Sequence, residues 1–340
     1  MSGGARGAKT MVSAILASLL LAVSTSTTGA VTRAQSSTPD PAVVSAAAKT
    51  LGASPDPNDI AMSFSRSEPC TSPCFKQGLV YQRTGSALDP EGGIKSYALD
   101  VYRSGRTPKR NAPVVVLVHG GGFVEGDRTQ MRVEAEALAK AGFLAVSIDH
   151  RLVPASRNGG VGIASDADLI PASSEAEADV EKALHWIHRH RATLGAASSQ
   201  RRYAVGGYSA GAITALRVAF RGGDRSTAKA LRWRVGAGFA ISGTECGPWA
   251  KAYDCRGAYD RADAPVLMFH GEADSIVPLS WGQRTCEAAA SRGGGCHGYY
   301  YPGQDHFWPN GTIYGTGPGL SKSHPAVLPT VVKFLRTQLA

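Results

Sequence analysis

Residues 203–220 read Tyr203-Ala204-Val205-Gly206-Gly207-Tyr208-Ser209-Ala210-Gly211-Ala212-Ile213-Thr214-Ala215-Leu216-Arg217-Val218-Ala219-Phe220. The first six are strand-like, the stretch from Ala210 has the apolar character of a buried helix, and a G-x-S-x-G pentapeptide at 207–211 joins the two. A serine on so sharp a strand-to-helix turn tolerates only small neighbours, and Gly207 and Gly211 remove the clashing Cβ atoms. The helix N-terminus then aims backbone N–H groups, that of Ala210 first, and a partial positive charge at an oxyanion formed beside Ser209. Glycine and serine are common residues, so the pentapeptide alone carries moderate weight. Its place between strand and helix carries the rest.

Upstream, a β-branched run at 113–118 leads directly into His119-Gly120-Gly121-Gly122-Phe123. Three glycines after a buried strand let the backbone approach a ligand and offer it N–H groups. Neither G-x-G-x-x-G nor G-x-x-x-x-G-K-[ST] fits, which removes the phosphate-loop reading. With G-x-S-x-G downstream, the N–H groups of Gly121 and Gly122 become the second half of an oxyanion hole. Around these motifs strand and helix patterns alternate. Strands are expected at 96–102, 113–118, 143–148, 203–208, 235–241, 265–270 and 298–301. Helices are expected at 129–140, 174–194, 210–220, 279–291 and 326–338. Such alternation predicts an α/β domain, a mostly parallel central sheet with helices on both faces.

On these motifs the chain resembles an α/β-hydrolase-fold carboxylesterase of the HGGG kind, similar to hormone-sensitive-lipase-like and feruloyl-esterase-like enzymes, over about residues 78–340. Ser147-Ile148-Asp149-His150-Arg151-Leu152-Val153-Pro154 resembles that group's V-x-D-Y-R-L-A-P segment, with His150 where tyrosine is usual. The resemblance implies a triad in the order serine, acid, histidine. Gly271-Glu272-Ala273-Asp274-Ser275-Ile276-Val277-Pro278 matches the group's G-x-x-D-x-x-V-P pattern and puts the acid at Asp274; Glu272, two residues nearer the strand, is the alternative. Asp263 precedes that strand and falls at the wrong end of the sheet.

Nine histidines compete for the base. His119 belongs to the glycine motif, His185, His188 and His190 to the long helix, and His270 ends the strand before the acid. His297 lies just before the last strand and His324 starts the last helix. His306, in Gly303-Gln304-Asp305-His306-Phe307-Trp308, follows that last strand and matches the group's position for the base. The implied chemistry is attack by Ser209 on an ester carbonyl, with His306 as base, Asp274 behind it, and no metal or organic cofactor. Phe123, Tyr208, Phe307 and Trp308 adjoin the motifs and are candidate walls of a substrate cleft, with ordinary packing as the competing role. No long apolar insertion resembling a lipase lid is present, so short-chain or aryl esters are the expected substrates. Acyl transfer or amide hydrolysis on the same triad, and an inactive binding module, are the alternatives.

The chain has 340 residues, 43% hydrophobic, 19% charged and 7% aromatic, enough apolar material for a sizeable core. Arg6 and Lys9 precede an apolar run at 11–23, and small residues follow; 1–34 reads as a secretory signal peptide. The run falls short of the roughly 18 apolar residues of a spanning helix, so no stable membrane insertion is expected. The formal charge of +9 drops to +6 without Arg6, Lys9 and Arg33, and no dense basic block suggests nucleic acid. Residues 35–75 read as a loosely packed arm and 76–340 as the catalytic domain of an extracellular or periplasmic protein.

Export favours disulfides among the six cysteines, which fall into three local couples: Cys70 with Cys74, Cys246 with Cys255, and Cys286 with Cys296. A metal site would need further ligands at close spacing, and none is expected. Trp249, between Cys246 and Cys255, is a further candidate wall, and Asn310-Gly311-Thr312 is a glycosylation sequon.

Overall fold

The computed structural model describes residues 73–105, 109–158, 162–220, 233–247, 259, 261–306 and 324–340. The leader at 1–34, nearly all of the arm, Cys70, Trp249, Cys255, Phe307, Trp308 and Asn310 lie outside these residues. All described residues belong to one unit spanning 53–340.

Strand β3 (Val114–Val118) is buried at every position. Val114, Val116 and Val118 pack into one apolar cluster and Val115 and Leu117 into another. A strand covered on both faces gains nothing from polar alternation, which is why the sequence there is an unbroken aliphatic run. It pairs in parallel with β4 (Leu144–Ile148) on one side and β5 (Tyr203–Tyr208) on the other. Beyond β5 the parallel ladder continues through β6 (Ala237–Ile241), β7 (Val266–Gly271) and β8 (Cys296–Tyr301). The other edge is antiparallel: β2 (Lys95–Arg103) pairs with β4, and β1 (Cys74–Thr84) with β2. The strand order is β1-β2-β4-β3-β5-β6-β7-β8.

Helices cover both faces. Alanine and aliphatic side chains of α2 (Asp166–Arg189), α3 (Ala210–Ala219) and α4 (Leu279–Ser291) join the first cluster. Those of α1 (Arg132–Lys140) and α5 (Val327–Gln338) join the second. A third cluster, built on Phe123, Leu169, Ala210 and Ile213, lies between the glycine-rich loop and the starts of α2 and α3.

The mostly parallel sheet and two helical layers agree with the expectation from sequence, with three local differences. Strand β1 has no counterpart among the expected strands and starts at Cys74, inside the stretch read as arm. Two register shifts, between Lys76 and Leu79 and between Val80 and Gln82, break its alternation and hide it. Helix α2 begins at Asp166 rather than at 174, because Ser165 caps it, accepting from the Asp168 N–H while its hydroxyl donates to Asp168 Oδ2. Pro171 is accommodated inside it. The same helix ends at Arg189; a short separate turn, Arg191–Leu194, then leads to Gly195 in the left-handed conformation. Cys286 and Cys296 form a disulfide between α4 and the start of β8. Cys74 is also disulfide-bonded. Cys246, expected to pair with Cys255, instead keeps its thiol outside any disulfide, buried with Sγ 3.6 Å from the Tyr259 hydroxyl.

Candidate active site

Parallel strands end together, and the loops that follow β3, β5, β7 and β8 leave from one edge of the sheet. At the end of β5, Ser209 has φ 53° and ψ −120°, a conformation that side-chain-bearing residues rarely adopt. Its own N–H donates to Ile241 O of β6 at 2.9 Å, and its carbonyl accepts the Ile213 N–H at 3.0 Å, so the turn is tied at both ends. The turn also presses α3 against β3: a Cβ on Gly211 would stand 2.1 Å from Val118 O. No side chain fits there.

His306 follows β8 and reaches back to Ser209. Its Nδ1 lies 2.9 Å from Asp274 Oδ2 and 3.1 Å from Oδ1, and its Nε2 lies 2.9 Å from Ser209 Oγ. A carboxylate only accepts, so Nδ1 carries the proton and Nε2 is left to accept from the serine hydroxyl. Ser209, Asp274 and His306 are all buried. Asp274 leaves the loop after β7 and also accepts the backbone N–H of Ile276 at 3.0 Å and of Val277 at 2.7 Å. Burial alone would raise its pKa, but hydrogen bonds from His270 and His306 outweigh this and hold it well below the usual carboxylate range. Glu272, the alternative acid, is exposed. Asp305 fixes the neighbouring backbone by accepting from the N–H groups of Ser275 at 2.8 Å and His306 at 2.6 Å.

The loop after β3 brings Gly121 and Gly122 beside this group, and both line the same cavity as Ser209, Ala210 and His306. Gly121 has φ 101° and a Cβ there would meet Glu125 O at 2.1 Å; Gly122 has φ 59° and a Cβ would meet Gly162 O at 2.4 Å. Among the described residues, the N–H groups of Gly121, Gly122 and Ala210 have no protein acceptor. Ala210 is the first residue of α3, where an N–H has no partner within the helix. Behind the loop, the His119 and His150 rings stack at 4.3 Å. Burial and the adjacent His150 push His119 down to about 3, so it is neutral, and its Nδ1 lies 2.7 Å from Gly120 O. His150, which replaces the tyrosine usual in the resembling segment, thus props the histidine of the glycine motif.

Of the expected cleft walls, Phe123 is fully buried yet borders the cavity, so packing and wall coincide in it. Tyr208 also borders the cavity, and its hydroxyl donates to His306 O at 2.9 Å. Sequence reasoning did not find Leu169, Ile213, Ile276 and Trp281, which complete the apolar wall. Ile213, Ile276 and Trp281 have only adjacency to the motifs as a local signal, Ile276 and Trp281 following Asp274 by two and seven positions, and Leu169 has not even that. Among the described residues no cluster of His, Cys, Asp and Glu could hold a metal ion, and no helix is long and apolar enough to cross a membrane.

Residues 99–233 match the BD-FAE family model. The chain is 28% identical over 186 residues to the non-reducing polyketide synthase stbA of Stachybotrys bisbyi, covering 53% of this chain and 7% of that protein. It is 32% identical over 84 residues to the non-reducing polyketide synthase mapC of Penicillium brevicompactum, covering 24% of this chain and 3% of that protein. The chain thus spans a small fraction of these curated relatives. Among solved structures it is similar to the apo form of Thermogutta terrifontis esterase 2, with TM-score 0.56 and 20% identity over 80% of this chain and 97% of that one. The same esterase phosphonylated by cyclosarin superposes with TM-score 0.58 at 19% identity, over 80% and 97% of the two chains. Its propionate-bound form gives TM-score 0.56 at 20% identity, over 77% and 93%. At these identities the likeness is one of fold. The chain has the α/β-hydrolase fold.

Proposed function

We propose that this chain is an exported serine esterase that hydrolyses short-chain or aryl carboxylic esters through Ser209, His306 and Asp274. The observation that carries the reading is the His306 ring, 2.9 Å from Ser209 Oγ on one side and 2.9 Å from Asp274 Oδ2 on the other. Ser209 Oγ attacks the ester carbonyl carbon while its proton passes to His306 Nε2; Asp274 keeps the other ring nitrogen protonated and stabilises the imidazolium. The carbonyl oxygen, now carrying the charge, accepts N–H groups of Ala210, Gly121 and Gly122. His306 then returns the proton to the leaving alcohol, giving an acyl-enzyme. Water attacks that acyl-enzyme by the same route and releases the acid. The chemistry is closed by side chains and backbone alone, so no cofactor enters the proposal.

The apolar wall of Leu169, Ile213, Ile276 and Trp281 supports an acyl or aryl group as the ligand. The leader at 1–34 and the Cys286–Cys296 disulfide support export to an oxidising compartment, with small or polymer-linked esters as partners and nucleic acid as none. The propionate-bound and phosphonylated Thermogutta esterase supply the natural probes. Hydrolysis of p-nitrophenyl esters from acetate to palmitate should peak at short chains in the wild type. Ser209→Ala should lower kcat by roughly 10⁴-fold or more. A fluorophosphonate should label the wild type and not the variant. Undiminished turnover in Ser209→Ala would refute the triad, and a preference for a competing alcohol over water would move the reading to acyl transfer.

A further inference from the structure

His270 is the fifth residue of β7, fully buried, and takes no part in the steps above. The loop that carries Asp274 winds around its ring. His270 Nε2 lies 2.7 Å from Val277 O and 3.2 Å from Asp274 Oδ2, so one nitrogen touches the loop on both sides of its bend. A carbonyl oxygen only accepts, which places the proton on Nε2. The other nitrogen, Nδ1, is buried with no hydrogen-bond partner. It faces Gly282 of α4, where a Cβ would stand 2.9 Å from it. Helix α4 therefore makes room for the ring and offers Nδ1 no acceptor. The arrangement suits a ring whose one N–H, bonded to Val277 O, also stands 3.2 Å from the Asp274 carboxylate.

That N–H bears on the acid. The Asp274 carboxylate faces His306 Nδ1, His270 Nε2 and the backbone N–H groups of Ile276 and Val277. Asp305, occupied by Ser275 and the His306 N–H, is the further charged side chain acting on it. How strongly the carboxylate stabilises an imidazolium at His306 depends on how much of its charge the other donors already take.

We infer that His270 is a positioning residue for the acid: its shared N–H ties the Asp274 carboxylate to the end of β7, aims it at His306 and withdraws part of its charge. The inference rests on the triad reading above. It requires that His270 act through Asp274 and touch no substrate.

Removing the donor returns negative charge to Asp274, the His306 imidazolium is held more tightly, and the acidic limb of kcat/KM moves to higher pH. In His270→Phe, which keeps a ring and loses the N–H, the limb should rise by roughly half a pH unit or more. Its kcat should fall roughly 10-fold with KM little changed, as for loss of alignment rather than of binding. His270→Gln, which restores an N–H, should bring the limb back toward the wild type. A merely structural residue would change stability and leave the limb in place, and an unmoved limb in folded His270→Phe overturns the inference. The wild type supplies a test that needs neither a variant nor turnover. Ring ¹⁵N resonances of His270 should show Nε2 protonated and Nδ1 bare, and the opposite tautomer overturns the inference. If the wild type shows no Ser209-dependent turnover, the esterase reading fails by itself. The inference is then decided by whether the pH titration of the His306 ring, followed by NMR, moves upward in His270→Phe.

Discussion

Ser209 and His306 are 97 positions apart in the chain, and a single hydrogen bond joins them. At this scale the site is a matter of which atoms cannot be moved. A methyl on Gly122 would stand 2.4 Å from Gly162 O, so Gly122→Ala must shift the loop that lines the cavity with Ser209. Its kcat on a p-nitrophenyl ester should drop 10²- to 10³-fold, about 2.7–4 kcal/mol, the range seen when one oxyanion donor is lost. Asp274→Asn should cost about 10⁴-fold in kcat, because an amide donor facing Nδ1 favours the wrong tautomer of His306. It has a stability signature as well. Since the folded state depresses the Asp274 pKa, its contribution is complete above the unfolded value near 3.8 and is lost as pH falls through the folded value. Urea titrations of the two proteins should therefore differ most near neutrality and converge in acid. Much of this scale was legible from sequence: the pentapeptide around Ser209 stands between a strand and an apolar helix, and the chain offers few acids and histidines after it at strand ends. The contacts of Trp281, Ile213 and His270 were not legible. Each has its partner set by how α3, α4 and the β7 loop pack, which no local pattern encodes.

Helices and strands repeat the lesson with different physics. The unbroken aliphatic run of β3 and the apolar α3 declared themselves, because burial on every side leaves no polar residue to confuse the pattern. The start of α2 was hidden by Pro171, which reads as a helix stop, while Ser165 and its reciprocal bonds with Asp168 set the true start about two turns upstream. Helix α1 holds a prediction of its own. Glu134 is buried in it, Oε2 has no hydrogen-bond partner, and burial pushes its carboxyl up to about 7. The folded protein thus binds this proton more tightly than the unfolded chain does. Stability should fall as pH rises from the ordinary 4.5 through about 7 and then level off. Glu134→Gln should flatten that slope and gain on the order of 3 kcal/mol over the wild type at pH 8. Thermal melts of both proteins across pH 5–8, taken at intervals of about one unit, measure it.

Across the whole molecule, the parallel ladder from β4 through β8 gathers the site at one edge and leaves the opposite edge free for reinforcement. The Cys286–Cys296 disulfide belongs to that second task, joining α4 to the first residue of β8, while the loop bearing His306 leaves from the strand's other end. A bridge closing a loop of this size contributes about 3 kcal/mol in the chain-entropy model. Replacing both cysteines by serine should lower stability to denaturant by that order and leave kcat at 25 °C within about twofold. Loss of activity at a temperature where the variant remains folded would show that the placement of His306 depends on the anchoring of the first residue of β8. The parallel core was legible because it needs continuous apolar strands; the β1 edge was not, since its two register shifts break the alternation.

The turn that presents Ser209 has a consequence for anyone improving this protein by selection. At φ 53° and ψ −120° the backbone there is comfortable only for glycine. Ser209→Gly should fold more stably than Ser209→Ala by about 1 kcal/mol and be equally inert. A library ranked solely on survival of heat would therefore enrich glycine at position 209, and its winners would be well-folded proteins that do nothing.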